Sequence, residues 1–406
     1  MRILVLATSA RGGAGKAALR SFEALVEGGH TASFLSSDLS INFENSKRFQ
    51  IAKFMRKMTR RAVTFIQRRF VQSSENLVTS LSINSIRSLY GNYYFGYDVI
   101  HIHAMYNFIS MGEILRLRKT GKKVIVTLHD ERFFTGGCHY SGNCRGYIGA
   151  CLKCPEVHTG VKFLPGLALR LSRYRHRGMK EIIYIAPSKW LSLRSQKSSL
   201  MMNRKVHVLR NPIPGIFFSD SGQVSYRSDE RIVIGFIAQD LQNKYKGFEN
   251  LIKALDMLDQ KTKNMLKLHV ACEIGADNVK SSIALELFTP RDDFELIAFY
   301  KGLNFLVVPS LQENSPNVIV EAMSVGTRVI AADTGGISEL MDYFNLPVYK
   351  PDSVEQLAQS ILMEVKTPGT PINREYAREI FGYSAHSSKL INIYTENPSE
   401  LNDIEA

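Results

Sequence analysis

Leu303-Asn-Phe-Leu-Val-Val-Pro309, followed by Glu313-Asn-Ser-Pro-Asn-Val-Ile-Val-Glu321-Ala-Met-Ser-Val-Gly326, is the stretch on which the fold is decided. The first run is short and apolar and reads as a buried strand. Ser315 is a good N-cap, Pro316 suits the first helical position, and Gly326 can stop the helix. The order is strand, loop, helix, with one carboxylate on each side of the helix start. A first helical turn presents N–H groups and the positive end of a dipole to an anion. Asn317 and Glu321 are four residues apart and share a face. Val318, Ala322 and Val325 turn the neighbouring face to the core. A phosphate at the helix start formed by Ser315, Pro316, Asn317 and Val318, where the Asn317 and Val318 amides can donate, a polyol at Glu321 and a sugar at Glu313 suit this geometry.

Two glutamates eight residues apart are weak evidence alone, since a solvated helix with two surface carboxylates has the same spacing. The longer run is more specific, because Gly326-Thr-Arg-Val-Ile-Ala-Ala-Asp-Thr-Gly335-Gly336-Ile-Ser-Glu339 follows directly. Glu, seven residues, Glu, then a Gly-x-x-Val pattern and a Gly-Gly loop resembles the family 4 retaining glycosyltransferases of the GT-B fold. That resemblance implies an α/β protein of two doubly wound Rossmann-like domains facing a cleft, with a C-terminal helix crossing back to the first domain. It also implies a nucleotide-sugar donor on the second domain, with Glu321 on the ribose and Glu313 on the sugar.

Composition agrees with a soluble globular chain. The 406 residues give a soft prior of about two to three domains. Hydrophobic residues make up 45% and charged residues 22%. No apolar run approaches the ~20 residues of a membrane span. The start, Met1-Arg-Ile-Leu-Val-Leu-Ala7, reads as a first strand rather than a signal peptide, so a cytoplasmic protein is expected. Lys and Arg total 51 against 38 Asp and Glu, a formal charge of +13, which points to an anionic partner. No nucleic-acid motif is present, and no nucleic-acid partner is expected.

The first domain is expected over 1–210. Strand 2–7 runs into Ser9-Ala-Arg-Gly-Gly-Ala-Gly-Lys16, and Ala18, Leu19, Phe22, Leu25 and Val26 then follow at helical spacing. The loop lacks the first glycine and the post-lysine Ser/Thr of a P-loop, which excludes an ATPase reading. The resemblance makes Gly13, Ala14 and Gly15 candidates for the donor diphosphate. A plain tight turn is the other reading. Residues 47–71 are strongly basic with apolar residues interleaved. They read either as an amphipathic helix on an anionic membrane surface, which would make the protein peripheral on the inner face of the cell membrane, or as a core-packed helix with a solvated face.

Asp98-Val-Ile-His-Ile-His103 and Val124-Ile-Val-Thr-Leu-His-Asp130 are strands that emerge at histidine. In a parallel sheet such ends open on the ligand crevice. By resemblance His129 reaches the transferred sugar or the acceptor, with His103 and Asp130 on the acceptor side. The loop 136–155 carries Cys138, Cys144, Cys151 and Cys154. It resembles a subset of the family tied to bacterial exopolysaccharide, capsule and O-antigen (colanic-acid-type) clusters. Four clustered thiols make a structural zinc site one candidate, with unmetallated thiols or a labile disulfide as the others.

The second domain is expected over 211–380, after the proline-bearing segment Asn211-Pro-Ile-Pro214. A crossover helix around 384–394 and a frayed tail complete 381–406. Asp240-Leu-Gln-Asn-Lys-Tyr-Lys-Gly247 precedes a helix read over Asn250–Leu258. The resemblance assigns Lys246 to the leaving diphosphate. The companion arginine is missing, Gln239 and Asp240 stand in its neighbourhood, and Lys244 is the candidate substitute. No Asp-x-Asp metal motif is found, so no catalytic cofactor is expected. Catalysis would then rest on His129, Lys246 and Glu313. The expected function is transfer of a sugar from a nucleotide-sugar to a glycan or polyprenyl-diphosphate-linked acceptor. The competing reading is a catalytically silent GT-B scaffold of a polysaccharide assembly complex.

Overall fold

The computed structural model describes residues 1–36, 93–158, 181–219, 231–275 and 279–396, apart from 104, 106 and 107, together with 58, 61, 160, 162, 163, 166, 167, 169 and 170. Met1–Arg210 with His386–Ala406 forms one compact unit, and Asn211–Ala385 forms the other.

The first unit is a six-stranded sheet of β1 (Arg2–Ala7), β2 (Thr31–Ser36), β3 (Val99–Ile102), β4 (Lys123–Thr127), β5 (Ile183–Ala186) and β6 (Val206–Val208). Its order is β2-β1-β3-β4-β5-β6, with every pair parallel. Both faces of the sheet are covered, which is why the strands read as continuous apolar runs. Period-2 alternation sorts the side chains between the two faces. Leu4, Leu6, Ile100, Ile102, Val124 and Val126 enter one core with Ile114 and Leu117. Ile3, Val5, Val99, Ile125, Ile183 and Ile185 enter the other, where Leu390, Ile393 and Tyr394 of the C-terminal helix Tyr383–Thr395 meet them. The chain returns to this unit because that helix carries the apolar residues its second face needs.

The second unit repeats the plan with β7 (Ile232–Ile237), β8 (Leu266–Ala271), β9 (Ala284–Phe288), β10 (Phe305–Val308), β11 (Arg328–Ala332) and β12 (Val348–Tyr349). The order is β12-β11-β10-β7-β8-β9, again all parallel. Helices Phe248–Asp256 and Val354–Lys366 cover one face through Leu251, Leu255, Leu357 and Ile361. Asp293–Lys301, Asn317–Ser324, Ile337–Asp342 and Arg374–Phe381 cover the other. The strand order reverses between β1 and β3 in the first unit and between β7 and β10 in the second. Open α/β sheets bind ligands outside the strand carboxyl ends at such switch points.

Three local expectations are corrected. The helix after β10 begins at Asn317, not at Pro316. Pro316 is extended, with ψ 121°, and is itself the N-cap, so Ser315 caps nothing. Gly13, Ala14 and Gly15 are not a loop but the first turn of the helix Gly12–Glu27. Helix Asn250–Leu258 runs instead from Phe248 to Asp256, because Gly247 at φ 71° turns the chain into it two residues early.

The basic segment 47–71 (58 and 61 apart), the run 171–180 and the tail 397–406 lie outside the described residues. Among the described residues no helix is long and apolar enough to cross a membrane.

Candidate functional site

In the second unit, the loops that leave β7 and β10 meet at the switch point. Leu311 N–H donates to the Tyr245 carbonyl at 2.8 Å, tying one loop to the other. Gly247 makes the approach feasible, since a β-carbon there would stand 1.9 Å from the Pro309 carbonyl oxygen. The contact brings Lys246 Nζ onto Glu313 Oε1 as an ion pair. A third loop, after β11, closes on the same point. Gly335 has φ 61°, and its missing β-carbon would lie 1.5 Å from the Glu313 carbonyl oxygen. Thr334 Oγ1 donates to the Leu311 carbonyl at 3.1 Å. Three backbones packed this tightly hold Glu313 with little freedom.

Helix Asn317–Ser324 starts beside that carboxylate. Glu321, one turn in, is only 3% exposed. A buried carboxylate needs donors, and the Tyr300 hydroxyl, from the helix Asp293–Lys301, supplies one to Glu321 Oε2 at 2.8 Å. Asn317 Oδ1 accepts from Asn211 Nδ2 at 2.9 Å. The Ser315 hydroxyl is buried without a hydrogen-bond partner among the described residues. Val318 is partly buried against the core, and Lys244 is exposed on the short turn that carries Lys246. The second unit therefore gathers Lys246, Glu313, Ser315, Pro316, Asn317, Val318 and Glu321 around one helix start, where the dipole and amides favour an anion. Gln239, near the missing arginine, donates through Nε2 to Glu273 at 3.1 Å.

In the first unit, β3 and β4 end side by side in histidines. His103 Nδ1 lies 2.9 Å from His129 Nε2. His101, one pleat back, lies 2.6 Å from the Tyr394 hydroxyl through Nδ1 and 2.7 Å from Thr127 Oγ1 through Nε2. Burial holds His101 and His103 well below the ordinary histidine value, and neighbouring histidines add to the shift. His129 is pushed down to about 4 by burial, with Asp130 opposing and Arg132 reinforcing the shift. A pocket of about 10 Å³, lined by His103, Met105, His129, Asp130 and Phe133 among others, opens here. It is at the lower limit for a single water and far below a sugar ring.

Asp130 is committed elsewhere. It caps the short turn Glu131–Phe133, accepts from Arg132 N–H at 2.8 Å, pairs with the Arg132 guanidinium, and lies 3.5 Å from His139 Nδ1. Burial pushes its carboxyl up, but Arg132 and His139 outweigh that and hold it below the usual range. In the helix Gly12–Glu27, Gly13 is exposed, whereas Gly15 is buried. A β-carbon on Gly15 would lie 2.5 Å from the Ser9 carbonyl oxygen. Gly15 thus serves close packing of helix on loop.

The cysteine loop is sewn to the first unit. Glu131 pairs with Arg194 at 2.7 Å and accepts from Ser141 N–H at 3.0 Å. The Arg194 guanidinium lies over Tyr147, 5.4 Å from the ring centre. Cys138 and Cys154 pack with Val157 in a small apolar cluster, and all four loop thiols are free. Burial raises the Cys138 and Cys154 thiols and pushes Cys151 up to about 11. Among the described residues, no three His, Cys, Asp or Glu side chains are arranged to hold a metal ion. Burial favours the protonated form of Cys138, Cys151 and Cys154, whereas zinc takes thiolate.

Several supporting residues gave no signal in the sequence. Tyr300, Asn211, Thr127 and Tyr394 are remote in the chain from the groups they touch. Only Gly247 and Gly335, as glycines beside candidate residues, could have been singled out.

Residues 231–365 match the family model described as "Glycosyl transferases group 1". WcaC of Escherichia coli (strain K12), named for glycosyl transfer in colanic acid biosynthesis, is 22% identical over 315 residues, covering 73% of this chain and 76% of that one. D-inositol 3-phosphate glycosyltransferase of Corynebacterium aurimucosum is 28% identical over 197 residues, 43% of this chain and 45% of that protein. Sucrose-phosphate synthase from Thermosynechococcus elongatus superposes with a TM-score of 0.61 at 15% identity, covering 97% of this chain and 98% of that one. HepE of Anabaena, solved in complex with UDP-glucose, gives 0.57 at 15% identity over 97% and 98% of the two chains. At these identities the structural likeness is one of fold, and the fold is GT-B.

Proposed function

From a second unit of the glycosyltransferase group 1 type, we propose that the chain is a retaining, metal-independent glycosyltransferase. It transfers a sugar from a nucleotide-sugar donor to a glycan or polyprenyl-diphosphate-linked acceptor in bacterial surface polysaccharide biosynthesis. One observation carries the reading: Lys246 and Glu313 pair at the β7/β10 switch point, with Glu321 buried one turn into the adjoining helix. A cation, a helix start and two carboxylates converge where a leaving diphosphate, a sugar and a ribose would meet.

In this reading Lys246 and the helix-start amides stabilise the charge that builds on the departing diphosphate. Donor binding exchanges the carboxylate partner of Lys246 for phosphate and leaves Glu313 to the sugar hydroxyls. Glu321, steadied by Tyr300, holds the ribose. HepE, titled as a complex with UDP-glucose, makes uridine donors the first to try. The polysaccharide setting draws on the likeness to WcaC and on the cysteine loop. The inner membrane face, where such acceptors are found, is the expected place of action.

The silent-scaffold reading has one observation in its favour: the side chain near the missing arginine is Gln239, which is turned to Glu273. Incubating the purified protein with a panel of nucleotide sugars separates the two, with the released sugar read by NMR. We expect slow hydrolysis of one donor, the first-released anomer keeping the donor's configuration, and no loss on adding a chelator. An inverted anomer would refute retention, loss with the chelator would refute metal independence, and no turnover of any donor would favour the scaffold.

A further inference from the structure

We infer that His103 is a positioning residue that holds His129 as the Nδ1–H tautomer, so that His129 meets substrate as a hydrogen-bond donor and not as a base. The inference rests on the transferase reading only for what His129 then does; the tautomer itself follows from the first unit alone.

The two rings come from the ends of neighbouring parallel strands. The His103 backbone N–H donates to the Leu6 carbonyl at 2.8 Å, which fixes where its ring leaves the sheet. Its Nδ1 lies 2.9 Å from His129 Nε2, and the rings stack with centres 5.2 Å apart, tilted by 27°. Behind it the His101 ring packs at 4.2 Å, itself held between Tyr394 and Thr127. Both partners are neutral: burial is the chief cause at each ring, His101, His129 and His386 add to it around His103, and at His129 it prevails over the opposing Asp130 with Arg132 in support.

A hydrogen bond between two neutral imidazoles needs one N–H and one lone pair. Were His129 the donor, the proton of His103 would sit on Nε2. That atom is buried with no partner among the described residues. A bare buried N–H is the rarer and costlier arrangement, while a bare lone pair is tolerated more often. The proton of His103 therefore lies on Nδ1 and is donated to His129 Nε2, and His129 carries its own proton on Nδ1. Taking up a second proton at Nε2 would break the bond to His103 and set a charge in a buried site, so His129 does not collect the acceptor proton there.

Two-bond 1H–15N correlation on the full-length protein with 15N-labelled histidine reads the tautomer directly, with His129→Gln assigning the signal. The expected result is a proton on Nδ1 of His129 and a bare, hydrogen-bonded Nε2. In His103→Phe the ring stays but the donor is lost, and the His129 signal should move toward the Nε2–H form. That variant should lower kcat about tenfold, the scale of one misdirected hydrogen bond, with donor KM little changed. His103→Gln, which restores an N–H, should recover most of both and guards against a variant that fails to fold. A wild-type His129 protonated on Nε2, or one whose tautomer ignores His103→Phe in a folded protein, would overturn the inference. A correct tautomer without any donor turnover would instead count against the transferase reading.

Discussion

Gly335 and Glu313 test how tightly the site is built. A β-carbon at Gly335 would overlap the Glu313 carbonyl oxygen, and φ 61° is disfavoured for any other residue except Asn or Asp. Gly335→Ala should therefore cost about 2 kcal/mol or more, since strain and displacement add. It should also weaken donor binding beyond tenfold, because the loop it displaces carries Glu313; thermal melting and donor titration read the two effects. Tyr300→Phe is subtler. It removes the hydroxyl from a buried carboxylate at a cost of about 1–3 kcal/mol. If Glu321 holds the ribose, donor KM should rise with kcat nearly unchanged, as steady-state kinetics would show. An unchanged KM would detach Tyr300 from the site.

Elements were legible where one physical signal dominated. The strand Phe305–Val308 is buried on both faces, so the continuous apolar run Leu303–Pro309 marked it within two residues. The helix beginning at Asn317 was legible in kind but not in cap, because Pro316 took an extended backbone that composition does not dictate. The Gly-rich stretch misled because Gly15 serves packing of a helix on Ser9, a tertiary demand no local propensity reports. The pairing of Lys246 with Glu313, 67 residues apart, was legible only through family resemblance, since strand order decides which loops meet. The same limit hid Tyr394. Its hydroxyl, 2.6 Å from His101, ties the last helix into the first unit. Ending the chain before His386 would strip Leu390, Ile393 and Tyr394 from that core. Such a truncation should leave the first unit aggregating, with sedimentation of the expressed protein as the check.

At the scale of the molecule, stability should depend on pH with a definite sign. His101, His103, His129 and His386 are all held below the ordinary value by burial, His129 and His386 down to about 4. The unfolded chain takes up protons near 6.5, where these folded histidines do not. Their contribution is present above that pH and is lost as pH falls toward their folded values, by up to about 1.4 kcal/mol per histidine for each pH unit. All four belong to the first unit, so its melting should move first as pH drops from 7 to 5. A melting temperature that is flat or rising over that range would contradict the buried neutral array.

Donor binding is the most direct test of the central claim that the β7/β10 switch point holds a nucleotide-sugar. Calorimetric titration of the full-length protein with a panel of donors, alongside Lys246→Ala and Glu321→Ala, should find one saturable donor in the wild type. Each variant, folded by circular dichroism, should bind it about tenfold to a hundredfold more weakly, the loss of one or two charge-assisted contacts. A folded wild type that binds no donor, or variants that bind it as well as the wild type, would contradict the account.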